Sequence, residues 1–172
     1  MRQRARLGMA LFLLSEAVFF FLLILAYVYF RSSTVTAASG RLRVAETAIY
    51  TVCLLGSSVT MWRAAQSGSR AFLVATIVLA AAFLVGQTFE YARLYQQNIT
   101  VSQSLFGTTF FTLTGLHGLH VIVGIVSMAV LFGARTFGEY RSIVFENVAL
   151  YWVFVDLVWI VIFAVVYLGN LL

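Results

Sequence analysis

Proline and lysine are both absent from this chain of 172 residues, and cysteine occurs once. With no imide ring to break a helix, any kink has to come from glycine or from a polar insertion. The lone Cys53 has no thiol partner, which excludes an internal disulfide and most thiolate metal sites. Charged residues make up 10% of the chain against 62% hydrophobic, a balance that excludes a soluble domain and describes a polytopic membrane protein. Alternating ten-residue segments are missing, which excludes a membrane β-barrel. The lack of an internal repeat weighs against an inverted-repeat transporter. No nucleophile set or phosphate-binding loop is present, which argues against a small membrane enzyme.

What is present is a series of apolar runs. Residues 7–30, 44–62, 71–95, 103–134 and 146–170 are each long enough to cross a bilayer. Short connections join them, so the expectation is an all-α fold, a single membrane domain of five transmembrane helices in one bundle. All eleven basic residues are arginine. With five spans, Arg2, Arg4, Arg6, Arg63, Arg70, Arg135 and Arg141 fall on the side of the N-terminus, against Arg31, Arg41, Arg43 and Arg93 opposite. This bias predicts a cytoplasmic N-terminus and an external C-terminus. The net charge of +5 reads as headgroup contact rather than nucleic-acid binding, since no basic stripe lies on a soluble surface. A signal peptide at residues 1–30 is the competing reading of the N-terminus. The apolar stretch is too long for one and carries an acid, so a retained first span is expected. Asn98-Ile99-Thr100 matches a glycosylation sequon, which in so small a chain is read as chance.

That acid, Glu16, is the only charge in the first run. An ionisable group at mid-membrane costs roughly 2.5–3.5 kcal/mol on insertion scales, so it calls for a partner or a role. Counting from run midpoints puts Glu16 about 4 Å, His120 about 2 Å and Asp156 about 3 Å to the same side of centre. His117 lies one turn from His120. Desolvation disfavours charge on a carboxyl and on an imidazole alike, and at hydrogen-bonding distance the two can share a proton. Glu16 is therefore expected to bond to His117 or His120 across the first and fourth helices. Two roles fit such a pair: a clasp that holds the bundle in register, and a proton-accepting site on a conduction path. As a cofactor site the histidines are poorly placed. At i and i+3 they share one helical face and cannot ligate both sides of a haem, and a metal would need Glu16 and further ligands. No metal site is expected, and Gly115, Gly118 and Gly124 read as close-packing positions.

Gln87, Glu90 and Tyr91 follow i, i+3, i+4 spacing and are expected to form an interhelical polar cluster, with Arg93 on a different face. Arg31, Arg63, Arg70 and Arg93 sit at run ends, suited to lipid phosphates. Glu46 and Glu146 are placed as helix openers that complement the dipole. Aromatic residues such as Tyr27, Trp62, Tyr95 and Tyr167 cluster near run ends as interfacial belts do.

Four segments together resemble one family. Leu11-Phe12-Leu13-Leu14-Ser15-Glu16-Ala17-Val18-Phe19-Phe20 resembles the helix of haem–copper oxidase subunit III that carries a membrane-buried glutamate. Gly86-Gln87-Thr88-Phe89-Glu90-Tyr91 resembles its Gln-x-x-Glu-Tyr segment. Thr114-Gly115-Leu116-His117-Gly118-Leu119-His120-Val121 is similar to its Thr-Gly-x-His-Gly-x-His-Val signature. Tyr151-Trp152-Val153-Phe154-Val155-Asp156-Leu157-Val158-Trp159 is similar to its Tyr-Trp-His-Phe-Val-Asp-x-Val-Trp, with Val153 where the family has His. The first loop also lacks the family's usual prolines. The order matches from the first helix to the fifth, in the manner of the short five-helix bacterial form. Longer members carry two further N-terminal helices that wall a lipid-filled cleft, so here another subunit completes that cleft or it is absent.

The resemblance implies a non-catalytic subunit of a proton-pumping terminal oxidase in the bacterial plasma membrane. Haem and copper would reside in partner subunits, catalytic subunit I foremost, and none in this chain. The implied roles are support of the catalytic subunit, maintenance of proton uptake, and organisation of phospholipid that eases oxygen access. Glu16 would be the buried acid, His117 and His120 its neighbours, and Arg31, Arg63 and Arg93 lipid contacts. A related branch, the accessory membrane protein of nitric oxide reductase, tends to lack the Ser-Glu pair that stands here as Ser15-Glu16. An independent proton channel is the other competing class, although Phe19 to Leu25 offer no polar station in the outer half of the first helix. Cytochrome c and quinol both remain open as electron donor.

Overall fold

A computed structural model describes residues 2–30, 43–99, 105–133 and 138–169. Five long helices run through them: α1 Arg2–Tyr29, α2 Val44–Ser67, α3 Arg70–Gln96, α4 Leu105–Gly133 and α5 Gly138–Phe163. A π-helical turn, Ala164–Leu168, continues α5. No strand occurs among the described residues. All five helices are long and apolar enough to cross a membrane. The reason for helices alone is the solvent. Lipid offers no hydrogen bonds, so a spanning backbone has to satisfy its own amides within the segment.

Helix ends differ from the apolar runs where backbone bonding outlasts hydropathy. α2 continues past Trp62 until Gly68, whose left-handed φ of 63° lets its N–H close back on Ala64 O at 2.9 Å. α3 ends similarly, with Asn98 at φ 58° and Ile99 N–H on Leu94 O at 3.0 Å. α5 starts at Gly138, so Glu146 lies well inside the helix rather than opening it. The dipole role expected for Glu146 gives way to an ion pair with Arg6 of α1 at 2.6 Å. Glu46 does lie in the first turn of α2.

α2 and α3 form a closely packed hairpin. α2 leans on α5 and α3 on α4, while α1 packs across the other side of α4 and α5. The helices alternate in direction. Arg6 of α1 meets Glu146 of α5 at the end that holds the N-terminus, and Arg93 of α3 meets Glu46 of α2 at the opposite end. Core side chains come mainly from the inner helices, with Trp152, Trp159 and Ile162 of α5 meeting Leu113 and Val121 of α4, Phe83 of α3 and Leu54 of α2. Among the described side chains of α1 only Phe20 and Tyr27 are buried, and residues such as Leu11, Leu14, Phe21 and Leu22 point outward.

Buried donors bind the inner helices together. Trp152 Nε1–H donates to Ser57 Oγ and Trp159 Nε1–H to Thr51 Oγ1, both at 3.0 Å, pinning α5 to α2. Thr60 and Thr76 hydroxyls meet at 2.8 Å between α2 and α3. Tyr151 O–H donates to the His120 carbonyl at 3.0 Å and joins α5 to α4. An indole N–H left bare in hydrocarbon would cost several kcal/mol, so these bonds fix register as well as adding stability.

Glycine governs one of these approaches. A Cβ at Gly124 would stand 2.5 Å from Trp152 Cζ3, whereas one at Gly115 would meet nothing nearer than Tyr91 Oη at 3.8 Å. Gly124→Ala is therefore expected to displace the Trp152 ring and to destabilise the bundle by about 1–3 kcal/mol. Gly115→Ala is expected to stay within about 0.5 kcal/mol of the parent. Unfolding of both variants in detergent, followed by tryptophan fluorescence, checks the contrast.

Candidate functional site: a carboxyl–imidazole pair between α1 and α4

Glu16 lies halfway along α1, on the stripe that packs against α4 and α5. Its Oε2 is 3.1 Å from His120 Nε2. The neighbouring Ser15 hydroxyl donates instead to Phe12 O at 2.6 Å and so belongs to its own helix. Both members of the pair are largely enclosed, with 22% of the Glu16 side chain and 15% of the His120 side chain exposed. Phe20 covers one side with its ring 5.0 Å from the imidazole and nearly edge-on, and Tyr151 lies parallel at 6.5 Å.

The other ring nitrogen settles the protonation pattern. His120 Nδ1 lies 2.7 Å from Leu116 O, and a carbonyl oxygen only accepts, so Nδ1 carries hydrogen. Nε2 then has two states open to it. It accepts from a protonated Glu16, or as part of an imidazolium it donates to a carboxylate. In both states the pair holds one proton between Oε2 and Nε2 and has no net charge. Leaving no net charge in the membrane interior is what makes the acid tolerable there.

His117 does not join this pair. Three residues on a helix turn through roughly 300°, so its ring diverges from that of His120 by about 60° and enters the core. There it is fully buried, lying parallel to Trp159 at 4.9 Å, with Phe83 edge-on at 5.9 Å and Phe20 at 6.4 Å. Neither ring nitrogen has a hydrogen-bond partner among the described residues. Asp156 also stands apart. It is buried on α5, where its Oδ2 accepts from the Ser58 hydroxyl of α2. The shared depth expected for Glu16, His120 and Asp156 thus resolves into two interhelical contacts on different sides of α5. Val153, one turn before Asp156, is half exposed and lines an open groove with Ser58, Trp62 and Arg6. An aliphatic side chain there supplies no hydrogen bond.

The expected cluster on α3 divides as well. Gln87 Nε2 donates to Thr114 O at 3.3 Å, and the Tyr91 and Thr114 hydroxyls meet at 2.7 Å. Thr114 gives its own hydrogen to Phe110 O at 2.7 Å, so Tyr91 is the donor between them. Glu90 turns instead toward α2. Arg93 Nη1 donates to Glu90 Oε2 at 2.9 Å while its Nη2 reaches Glu46, and Glu46 also accepts from Arg43. Alternating charges thus run Arg43–Glu46–Arg93–Glu90. The expectation that Arg93 lies on a face apart from Glu90 is corrected, because its long stem swings back one turn to Glu90. The Glu90–Arg93 spacing of i, i+3 is the signal that marks this pair in the sequence. Arg63 lies over the Trp62 ring at 5.7 Å, and Arg31 is outside the described residues.

Both histidines of the chain have their surroundings defined. His120 is committed on both nitrogens, His117 is walled by aromatic rings, and no group of three or more metal-ligating side chains occurs among the described residues.

Comparison with known proteins follows the same lines. A family model described as cytochrome c oxidase subunit III matches residues 1–170. Cytochrome c oxidase subunit 3 of Corynebacterium diphtheriae is 33% identical, over 93% of this chain and 85% of the relative. The protein of that name in Synechocystis is 34% identical over 94% of this chain and 74% of its own length. That of Branchiostoma lanceolatum is 35% identical over 94% and 68%.

The contact between Glu16 and His120 is testable by a double-mutant cycle. Glu16→Ala and His120→Ala are expected to couple by about 1 kcal/mol in detergent unfolding, and Glu16→Ala with His117→Ala by less than about 0.5 kcal/mol.

Proposed function

The chain belongs to the cytochrome c oxidase subunit III family, and on that premise we propose that it is a non-catalytic subunit of a haem–copper terminal oxidase in a bacterial plasma membrane. The N-terminus faces the cytoplasm in this reading, following the arginine bias. Haem, copper and electron transfer belong to partner subunits, with catalytic subunit I as the chief partner. This chain supports that subunit, helps sustain proton uptake, and orders phospholipid along routes that oxygen uses.

The observation that carries the proposal is the Glu16–His120 contact, which joins α1 to α4 at 3.1 Å inside the bundle. A pair that shares one proton and joins two helices works as a clasp. The outward apolar face of α1, with Leu11, Leu14, Phe21 and Leu22, suits lipid tails or the helix of a neighbouring subunit. A self-sufficient proton channel fits less well. Phe20 stands on the inner side of His120, and the next polar group inward, His117, makes no hydrogen bond among the described residues. A hydrogen-bonded chain from Glu16 to the Glu90 network is broken there.

Affinity purification in mild detergent is expected to bring down a haem-bearing subunit with an oxidase absorption spectrum. The isolated chain in liposomes is expected to pass protons no faster than empty vesicles. Glu16-dependent proton flux from the chain alone would instead establish a channel.

A further inference from the structure

Besides Glu16 and Asp156, the bundle encloses a third carboxyl group. Glu90 is 5% exposed, and its Oε2 takes the Arg93 guanidinium at 2.9 Å. Its other oxygen, Oε1, is buried without a hydrogen-bond partner among the described residues. Lone pairs on a buried carboxylate oxygen are costly to leave bare, so this atom calls for a donor. Beside it lies an internal cavity of about 10 Å³, lined by Thr47 and Tyr50 of α2, Gly86 and Gln87 of α3, and Trp159 and Tyr167. That is close to the smallest volume that holds one water molecule.

The chain builds this space from several unusual local features. The Tyr50 ring occupies the place that a side chain at position 86 would need, so Gly86 alone fits there. The π-helical turn Ala164–Leu168 brings Tyr167, 2% exposed, to the cavity wall. Such turns insert one extra residue into a helix and are costly enough to be concentrated at sites with a purpose. The Thr47 hydroxyl gives its hydrogen to Arg43 O at 3.2 Å, and its oxygen meets the Tyr167 hydroxyl at the cavity wall.

We infer that this cavity binds one ordered water, which donates to Glu90 Oε1 and is held by the paired hydroxyls of Thr47 and Tyr167. Charge selects water over a cation. Arg43 and Arg93 already balance Glu46 and Glu90, so the four-membered chain is formally neutral and favours a neutral ligand. The water is the inner terminus of that chain. It completes the coordination of the carboxylate on the side the guanidinium does not reach, at the junction of α2, α3 and the end of α5.

High-resolution cryo-electron microscopy of the intact oxidase complex tests the site. The expected result is a density peak about 2.7–3.0 Å from Glu90 Oε1, beside the Thr47 and Tyr167 hydroxyls. A well-ordered Glu90 with no such peak, or with both oxygens taken by Arg93 or another side chain, overturns the inference. Infrared spectra of the complex in H₂¹⁸O give a second reading. A narrow water O–H band that shifts with the isotope is expected in the parent and is lost in Glu90→Leu. Identical isotope-sensitive bands in the two proteins would contradict the site.

Discussion

A single proton shared between Glu16 and His120 is the interaction on which the rest of this structure depends. Lipid cannot solvate a carboxylate or an imidazolium, and α1 has few other ways of holding to the bundle. Among its described side chains only Phe20 and Tyr27 are buried, so its attachment rests on a narrow apolar strip, the Arg6–Glu146 ion pair and the Glu16 contact. The bond from His120 Nδ1 to Leu116 O leaves Nε2 as the sole point of exchange with the acid. The result is a polar contact with direction and register but no net charge. Apolar packing of α1 alone would not specify its rotation or depth, since lipid tails compete with side chains on nearly equal terms.

The same demand shapes the interior. Every buried donor described between α2 and α5 ends on a small hydroxyl: Trp152 on Ser57, Trp159 on Thr51. Ser58 in turn serves the Asp156 carboxylate. Small hydroxyl residues allow helices to approach closely and still supply an acceptor or donor, which larger polar residues would not. His117 marks the limit of this economy. It replaces hydrogen bonds with aromatic contact on Trp159, Phe83 and Phe20. A ring so enclosed separates the Glu16–His120 pair from the charged chain at the opposite end of the bundle.

Much of this could be read in the residues. Five apolar runs correspond to five helices because hydropathy over about twenty residues is nearly sufficient in a bilayer. Depth counting placed Glu16 and His120 at one level, since rise per residue is constant in an unbroken helix. The divergence of His117 from His120 was within reach of the same geometry, but the broad rule that i and i+3 share a face obscured it. Glu90 and Arg93 were separated for the opposite reason. Their backbone positions do diverge, and the reach of an arginine side chain closes the gap. Helix boundaries beyond the apolar runs, at Gly138 and Ser67, were hidden because polar residues continue a helix as readily as they end one. The bonds of Trp152 and Trp159 join residues 95 and 108 positions apart, and no local pattern announces such partners.

The chain belongs to the oxidase subunit III family, and its polar side chains, as far as the described residues go, hold helices together. The measurement closest to the central claim is ¹⁵N solid-state NMR of His120 in the assembled, membrane-embedded complex. The account expects a protonated Nδ1 and an Nε2 resonance that moves when Glu16 is replaced by Gln. A bare Nδ1 with a protonated Nε2, or an Nε2 signal indifferent to the change at Glu16, would contradict it.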